Sequence, residues 1–373
     1  MSIIKDVKAI TVSVPLDNPT SFSSRLVLKR EYALVEITSD SGHKGIGFCY
    51  GGSNAGGLVT QAVRELLRPV LLGEDTYRVE GLWQAMYQEA LLHGRTGSVM
   101  RAISIIDTAL WDHNARAVNL PLYKLLGAHE TESVPAYASG GYYLEGKTPK
   151  DLGNEMRSHV DNGFKAVKLK VGRESLAKEE ARLAAVREAV GPDVRVMMDA
   201  NNAWRDLPSA CEFMRMAESY DPYWIEEPFS PDDIDNHQRL AERTFVPVAT
   251  GEIEAGRWRF KELLDKQAAM ILQTDAAVCG GITEFRRITA TAVSYGVDVC
   301  PHWFHDLHVH LVASSPNAPY VEHFGDDQVL NFRRLIDTQL KTENGRLLLP
   351  KTPGLGFDFD AKTIANYAVD EWQ

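Results

Sequence analysis

The chain has 373 residues, 44% of them hydrophobic and 24% charged, and carries a formal net charge of −11. That length allows one large barrel plus a smaller domain, and the acidic balance argues against nucleic acid or an anionic membrane surface as a partner. An anionic small-molecule substrate would need a local positive site.

The four cysteines, Cys49, Cys211, Cys279 and Cys300, include no C-x-x-C pair and read as free thiols of a reducing cytoplasm. The N-terminus has no apolar signal region and no run reaches transmembrane length, so a cytoplasmic protein is expected.

The first part of the chain reads as antiparallel sheet. Ile10, Val12 and Val14 alternate with polar residues and stop at Pro15; 32–37 is a second strand, 39–42 a turn and 44–48 a third strand. Helical periodicity follows over 55–71 and 76–91, and is strongest in the stripe Val99, Ala102, Ile103, Ile106, Ala109 and Leu110. Residues 121–127 close this α+β part. Short apolar runs then recur at 133–139, 166–171, 194–199, 223–227, 247–252, 270–275, 297–302 and 320–324, with helix-like stretches such as 176–190 and 282–295 between them. Strand–helix alternation predicts a parallel sheet with right-handed crossovers. Eight strands predict closure into a barrel, whose active site lies at the C-terminal strand ends. The expected α/β architecture is a capping domain over 1–130, completed by the tail 346–373, and a catalytic barrel over 131–345.

Three of the predicted strands end on or beside a carboxylate: Asp199, Glu226 and Glu252, each about one strand–helix unit from the next. Acids converging on one point repel one another unless a hard cation lies among them, and Mg²⁺ takes oxygen ligands while keeping positions open for substrate. Strand alternation lets only one of Glu226 and Glu227 face the barrel axis, without saying which. It puts Lys168 and Lys170 on one face, opposite Val167, Leu169 and Val171. A free lysine has a pKa of about 10.4; a second ammonium and a divalent cation nearby would lower it toward a useful base. The plain alternative is a solvated, lysine-rich strand end. Asn201 shares the face of Asp199 if the strand stays extended, and is then expected to touch substrate.

The sixth and seventh runs end at Asp275 and His302 on adjacent strands, so Asp275 is placed to fix the imidazole tautomer and raise its pKa. The eighth carries Glu322, able to donate a hydrogen bond to a substrate oxyanion if protonated, or to orient another group. Five of the eleven histidines lie between 302 and 323; a zinc-type second site is conceivable, but His305 and His308 share a helical face, which suits a polar helix start at the pocket mouth better. Gly280-Gly281 could cradle a phosphate, although a double glycine in such a loop is more often a tight turn.

Taken together in this order, Lys168-x-Lys170, Asp199-Ala-Asn201, Ile225-Glu226-Glu227-Pro228, Gly251-Glu252, Asp275, His302 and Glu322 resemble the enolase superfamily, specifically its mandelate racemase subgroup. The resemblance covers nearly the whole chain, including Ile106-Asp-Thr-Ala-Leu-Trp-Asp112 in the cap. It implies a modified (β/α)₇β TIM-like barrel with an N-terminal α+β cap. It selects Glu226 over Glu227 and implies one Mg²⁺ held by Asp199, Glu226 and Glu252. Lys170 would be the base on one face of the substrate, Lys168 would stabilise its carboxylate, and His302 paired with Asp275 would be the acid–base group on the other face. Glu322 would hydrogen-bond the substrate carboxylate. The shared first step is removal of a proton α to a carboxylate to give an enediolate, which for this chain is expected to lead to dehydration of a sugar acid. Racemisation, epimerisation or cycloisomerisation is the alternative within the family. A non-catalytic binding protein on the same scaffold would be expected to lack one of these groups. The resemblance also implies a homo-oligomer. The polar, glycine-rich segments 21–25 and 50–57 suit a lid, and His93, Arg95 and 303–306 are further candidates to reach the pocket.

Overall fold

The alternating run at residues 10–14 belongs to a long first strand. In the computed structural model, which describes residues 2–22, 25–325 and 330–373 (the side chains of Phe22 and Arg25 excepted), β1 (Ile4–Phe22) pairs antiparallel with β2 (Arg25–Ser39), and β2 with β3 (Lys44–Tyr50). Pro15 does not end the strand. The ladder has an irregularity between Pro15 and Thr20, which accommodates a residue without an N–H. Ser23 and Ser24 of the predicted lid lie outside the described residues.

Helices α1 (Gly56–Gln61), α2 (Arg68–Leu71), α3 (Val79–Ala90), α4 (Gly97–Ala117) and α5 (Leu122–Leu125) complete the cap, with a π-helical segment, Ala62–Leu67, between α1 and α2. The apolar stripe predicted on α4 is buried from Ala102 to Leu110 and partly buried at Val99. β3 presents alternate glycines to it: a Cβ on Gly47 would lie 1.9 Å from the Ile105 carbonyl oxygen, so only glycine permits this approach of helix to sheet.

The barrel strands are β4 (Ser133–Ser139), β5 (Ala166–Lys170), β6 (Arg195–Asp199), β7 (Pro222–Glu226), β8 (Val248–Thr250), β9 (Ile271–Leu272), β10 (Asp298–Val299) and β11 (Val321–His323). Between them lie α6 (Pro149–Asp161), α7 (Leu176–Val190), α8 (Leu207–Ala217), α9 (Ile234–Ala241), α10 (Arg257–Asp265), α11 (Gly281–Ser294) and α12 (His305–Val312). Consecutive strands from β4 to β10 pair in parallel, and β11 pairs with β4. The seam lies between β10 and β11, where Val299 N–H donates instead to the Asn317 carbonyl (2.8 Å). β9 and β10 are shorter than their apolar runs; the remainder of each run is buried loop that carries a site residue.

Period-two alternation divides the barrel as expected. Tyr137, Ala166, Met197, Trp224, Ala249, Ile271 and Cys300 fill the interior, while Val167, Leu169, Val196, Met198 and Ile225 pack outward on the helices. Each fully buried valine, leucine, isoleucine or methionine among them contributes about 1.5–3 kcal/mol.

Cap and barrel share one core, and α4 fastens them. Asp107 accepts from Thr283 N–H (2.8 Å) and Thr283 Oγ1–H (2.6 Å) at the start of α11. Gly280-Gly281 is the docking turn for this contact, not a phosphate cradle. Gly280 accepts from Trp83 Nε1–H (2.7 Å), and a Cβ on Gly281 would lie 2.4 Å from Asp107 Oδ2. Five residues further on, Asp112 accepts from Ile46 N–H (2.9 Å) and Leu355 N–H (2.7 Å) and pairs with Arg116 (2.8 Å), joining α4 to β3 and to the C-terminal segment. That segment starts on the barrel: β12 (Thr342–Glu343) pairs with β13 (Arg346–Leu348), which runs antiparallel to β4. It leaves the barrel only after Leu349, then forms α13 (Ala361–Tyr367) and ends against β1, where Ala9 N–H donates to Gln373 (2.8 Å).

Candidate active site at the C-terminal mouth of the barrel

β6 ends at Asp199 and β7 at Glu226, and the two residues are register partners; Glu252 lies two residues past β8. Each of the three offers a carboxylate oxygen within 4.8 Å of the others. Asp199 and Glu226 are buried, and Glu252 Oε2 is a buried oxygen with no hydrogen-bond partner. Burial, then the charge of Asp199, raises Glu226 to about 8 despite the ammonium of Lys168. Three hard oxygen donors buried together in this way fit a small divalent cation, and Mg²⁺ suits a set that leaves positions free for substrate.

Alternation fails just beyond the strand ends. Asn201 and Asn202 adopt left-handed backbone (φ 44° and 63°), so Asn201 does not continue an extended β6. It turns back, and its N–H donates to Asp199 Oδ1 (2.9 Å) while its side chain still lines the cavity. Glu227 is also left-handed (φ 43°), which lets it line the cavity rather than point away, while Glu226 lies beneath the lining, bonded to Lys168. Burial, then Glu252 and Asp199, holds its carboxyl well above the usual range.

Lys168 and Lys170 project inward from β5 as alternation predicted, and both are buried. Lys168 Nζ donates to both oxygens of Glu226 (2.8 and 2.9 Å) and pairs with Glu322 (2.6 Å); Lys170 Nζ donates to Asp199 Oδ2. The expected lowering of Lys170 is reversed among the protein's own groups. Burial disfavours its charge and Lys168 repels it, but Asp199 and Tyr142 outweigh both and push it up. Glu322 also departs from the donating role considered for it. Burial opposes its ionisation, but Lys168 and His302 hold it well below the ordinary range, and Oε2 accepts from Trp303 N–H (2.7 Å). It is an anion that positions Lys168.

His302 follows β10, paired with β9, as the sequence required. Its Nδ1 lies 3.0 Å from Asp275 Oδ2, and Nε2 lies 3.6 Å from Glu252 Oε1. Burial works against the imidazolium, yet Glu252 and Asp275 raise it to about 9. Asp275 is fixed in turn by Ala277 N–H to Oδ1 (2.8 Å). His308 supports the same turn: its Nε2 accepts from Ala276 N–H (3.0 Å) and its Nδ1–H donates to the Trp303 carbonyl (2.9 Å). The other histidines are not at the mouth. Trp303 and Phe304 take left-handed backbone (φ 50° and 26°), which sends α12 behind the site, where burial pushes His305 down to about 3 and His310 to about 4. Among the described residues, the triad is the one group of three such ligands close enough to share a metal.

Lys168, Lys170, Asn201, Glu227, Glu252, Asp275, His302 and Glu322 line one cavity of about 650 Å³ beneath the cap. Of the predicted lid, Tyr50, Gly51, Gly52 and Ala55 reach it; His93 and Arg95 do not, while Gly97, Ser98 and Arg101 of α4 and Arg30 of β2 do. Sequence reasoning missed Arg30 and Arg101. Arg101 sits within an apolar helical stripe, and its charge at the stripe's start was the available signal.

Residues 151–363 match the enolase C-terminal domain-like family model, and residues 4–127 the mandelate racemase / muconate lactonizing enzyme N-terminal domain model. The chain belongs to the mandelate racemase subgroup of the enolase superfamily. It is 37% identical over 353 residues to the arabinonate dehydratase of Saccharolobus solfataricus, covering 92% of this chain and 91% of that one. It resembles the solved L-talarate/galactarate dehydratase from Salmonella typhimurium at TM-score 0.91 and 32% identity, over 98% of this chain and 92% of that one. A third relative, the 3,6-anhydro-alpha-L-galactonate cycloisomerase of Streptomyces coelicolor, is 31% identical over 98% of this chain and 100% of its own length. The L-talarate dehydratase of Polaromonas sp., solved with Mg and L-glucarate, has a TM-score of 0.88 at 32% identity, over 99% of this chain and 98% of that one.

Proposed function

We propose that the chain is an Mg²⁺-dependent hydro-lyase that dehydrates a sugar acid, an aldonate or aldarate, to a 2-keto-3-deoxy acid. The observation that carries this is the placement of two proton-moving groups in one cavity. Lys170 on β5 and His302 after β10 flank the carboxylates of β6, β7 and the loop after β8. Asp199, Glu226 and Glu252 would hold Mg²⁺, which when bound would supply the positive charge that an enediolate needs. Lys168, fixed by Glu226 and Glu322, adds a second positive charge beside the substrate carboxylate. Lys170 acts as the neutral amine: as its contact with Asp199 is given up it releases its ammonium proton to solvent, and Nζ then takes the α-proton. His302 donates its Nε2 proton to the β-hydroxyl, which leaves as water, and the enol product becomes the 2-keto acid. Asp275 keeps the other imidazole proton on Nδ1 throughout. Asn201 orients Asp199 and faces the substrate.

A second reading is cycloisomerisation of a sugar-acid lactone or anhydro sugar acid, favoured by the full-length similarity to a cycloisomerase. Incubating a panel of sugar acids with enzyme and Mg²⁺ in D₂O separates the two. With lactones and anhydro acids included in the panel, formation of a 2-keto acid with loss of water supports dehydration, whereas conversion of a lactone or anhydro acid to an isomeric open-chain product without loss of water supports cycloisomerisation. Absence of α-proton exchange across a broad panel defeats both.

Residues 1–130 with the tail are taken as the substrate-selecting cap and 131–345 as the catalytic barrel. No helix among the described residues is long and apolar enough to cross a membrane. The four unpaired thiols suit a cytoplasmic setting. The homo-oligomer rests on family resemblance, and sedimentation analysis tests it.

A further inference from the structure

The relatives divide between acids with one carboxylate, such as arabinonate, and acids with two, such as galactarate. The cavity itself is asymmetric in a way that bears on this choice. Its barrel wall mixes four acids, Glu227, Glu252, Asp275 and Glu322, with the basic groups Lys168, Lys170 and His302. Its cap wall, formed by β2, the segment after β3 and the start of α4, carries two arginines, Arg30 and Arg101, and, among the described residues, no acid. Glu31, next in sequence to Arg30, is turned elsewhere: it accepts from Gly56 N–H (3.1 Å) and pairs with Lys29 (2.9 Å).

Resting on the dehydratase reading, we infer that the substrate is a diacid of the aldarate class, and that Arg101 with Arg30 binds the carboxylate remote from the metal ligands. Arg101 donates one guanidinium N–H to the Tyr50 carbonyl (3.1 Å), which aims the group, and no carboxylate pairs with it among the described residues. A guanidinium has five donors in a planar fork matched to a carboxylate. Ser98 lines the cavity beside it, and the first turn of α4 holds no acidic residue to compete for the anion. Arg30 is buried, with its guanidinium 5.1 Å from the Tyr50 ring centroid and 5.2 Å from that of Trp303. Trp303 directly follows His302, and its N–H holds Glu322. The cationic wall therefore connects to the catalytic groups through a rigid aromatic pair. A terminal hydroxymethyl group here would leave the arginine fork without its anion, and a site built for a charged partner discriminates strongly against the analogue lacking it.

The test compares matched pairs that differ only at the terminal carbon: galactarate with galactonate, glucarate with gluconate, arabinarate with arabinonate. Each is assayed with Mg²⁺-loaded enzyme for 2-keto acid and for α-proton exchange in D₂O. In a reacting pair, kcat/KM for the diacid should exceed that of the monoacid at least ten-fold. Arg101→Met should erode this ratio at least ten-fold, chiefly through KM of the diacid, and Arg101→Lys should restore part of it. Equal or greater kcat/KM for the monoacid in every reacting pair overturns the inference and leaves the dehydratase reading standing. So does an Arg101→Met variant of unchanged Tm that slows both members of a pair equally. Should the variant not fold, the wild-type ratio alone decides. If no acid of either kind reacts or exchanges, the dehydratase reading falls and the inference with it.

Discussion

Replacing Gly281 by alanine tests the junction between cap and barrel. Gly281 has φ +90°, and an added Cβ would lie 2.4 Å from Asp107 Oδ2, 2.5 Å from its Cβ and 2.7 Å from its Cγ. Left-handed backbone costs a non-glycine residue about 1–2 kcal/mol. Asp107 is fully buried, so it cannot swing into solvent; relieving the overlap strains the hydrogen bonds from Thr283, and overpacking of this kind costs about 1–3 kcal/mol. The sum is about 2–5 kcal/mol, a large share of the roughly 5–15 kcal/mol that holds a protein folded. Gly296 at the other end of α11 is the internal control: it has φ +69° and nothing within 4 Å of its would-be Cβ, so Gly296→Ala should lose the backbone cost alone. Equilibrium urea denaturation followed by tryptophan fluorescence measures both, with Trp83 hydrogen-bonded to Gly280 as a reporter at the junction. Activity should fall as well, because Asp275 and Val278 occupy the same loop. Equal losses for the two variants would refute the claim that Asp107 packs this turn tightly.

Three further outcomes follow from the site. Lys170→Ala and His302→Asn should each abolish turnover while calorimetry still detects Mg²⁺ binding; lost metal affinity would mean the roles are misassigned. In Asp275→Asn, Ala277 N–H should capture the amide oxygen and turn the NH₂ toward His302 Nδ1, favouring the wrong tautomer, so kcat should drop by about 10²-fold or more. The imidazolium then loses its partner, and the alkaline limb of the pH–rate profile, set in the wild type by a pKa raised to about 9, should move to lower pH; an unmoved limb contradicts the dyad. Burial raises Asp107 from 3.8 to about 7 against the bonds from Thr283, so the folded state holds this proton more tightly than the unfolded chain. Stability contributed by this group should therefore fall as pH rises from about 4 to 7, and Asp107→Asn should remove that slope in urea titrations at pH 5 and 8. A wild-type-minus-variant difference that is the same at both values would refute it.

Sequence alone made the barrel legible because each strand has an outward apolar face that must meet a helix: Val167, Leu169, Val196, Met198 and Ile225 lie where period two puts them. The same rule placed the two lysines. It stopped working just past the strands, where Asn201, Glu227 and Trp303 enter left-handed backbone that no side-chain pattern announced. That is why Glu227 was undervalued, Asn201 was given an extended geometry, and the histidines of α12 were set at the mouth. The contact of Lys170 with Asp199 also escaped, since alternation gives the face of a strand and not which carboxylate lies nearest. Arg30 and Arg101 come to the cavity only through the docking of cap on barrel, a long-range contact beyond any local periodicity.

The helix α4 has a consequence for anyone wishing to re-engineer specificity. One rigid rod of 21 residues carries Arg101 at the cavity, Asp107 on the barrel loop and Asp112 on the C-terminal segment. Transplanting a cap from another member at the chain's apparent joint near residue 130 would thus sever three fitted contacts at once. Chimaeras should succeed when the donor supplies the cap, the turn at 280–281 and the segment after 349 as one unit, so that the recombination points follow this helix's partners rather than the domain border.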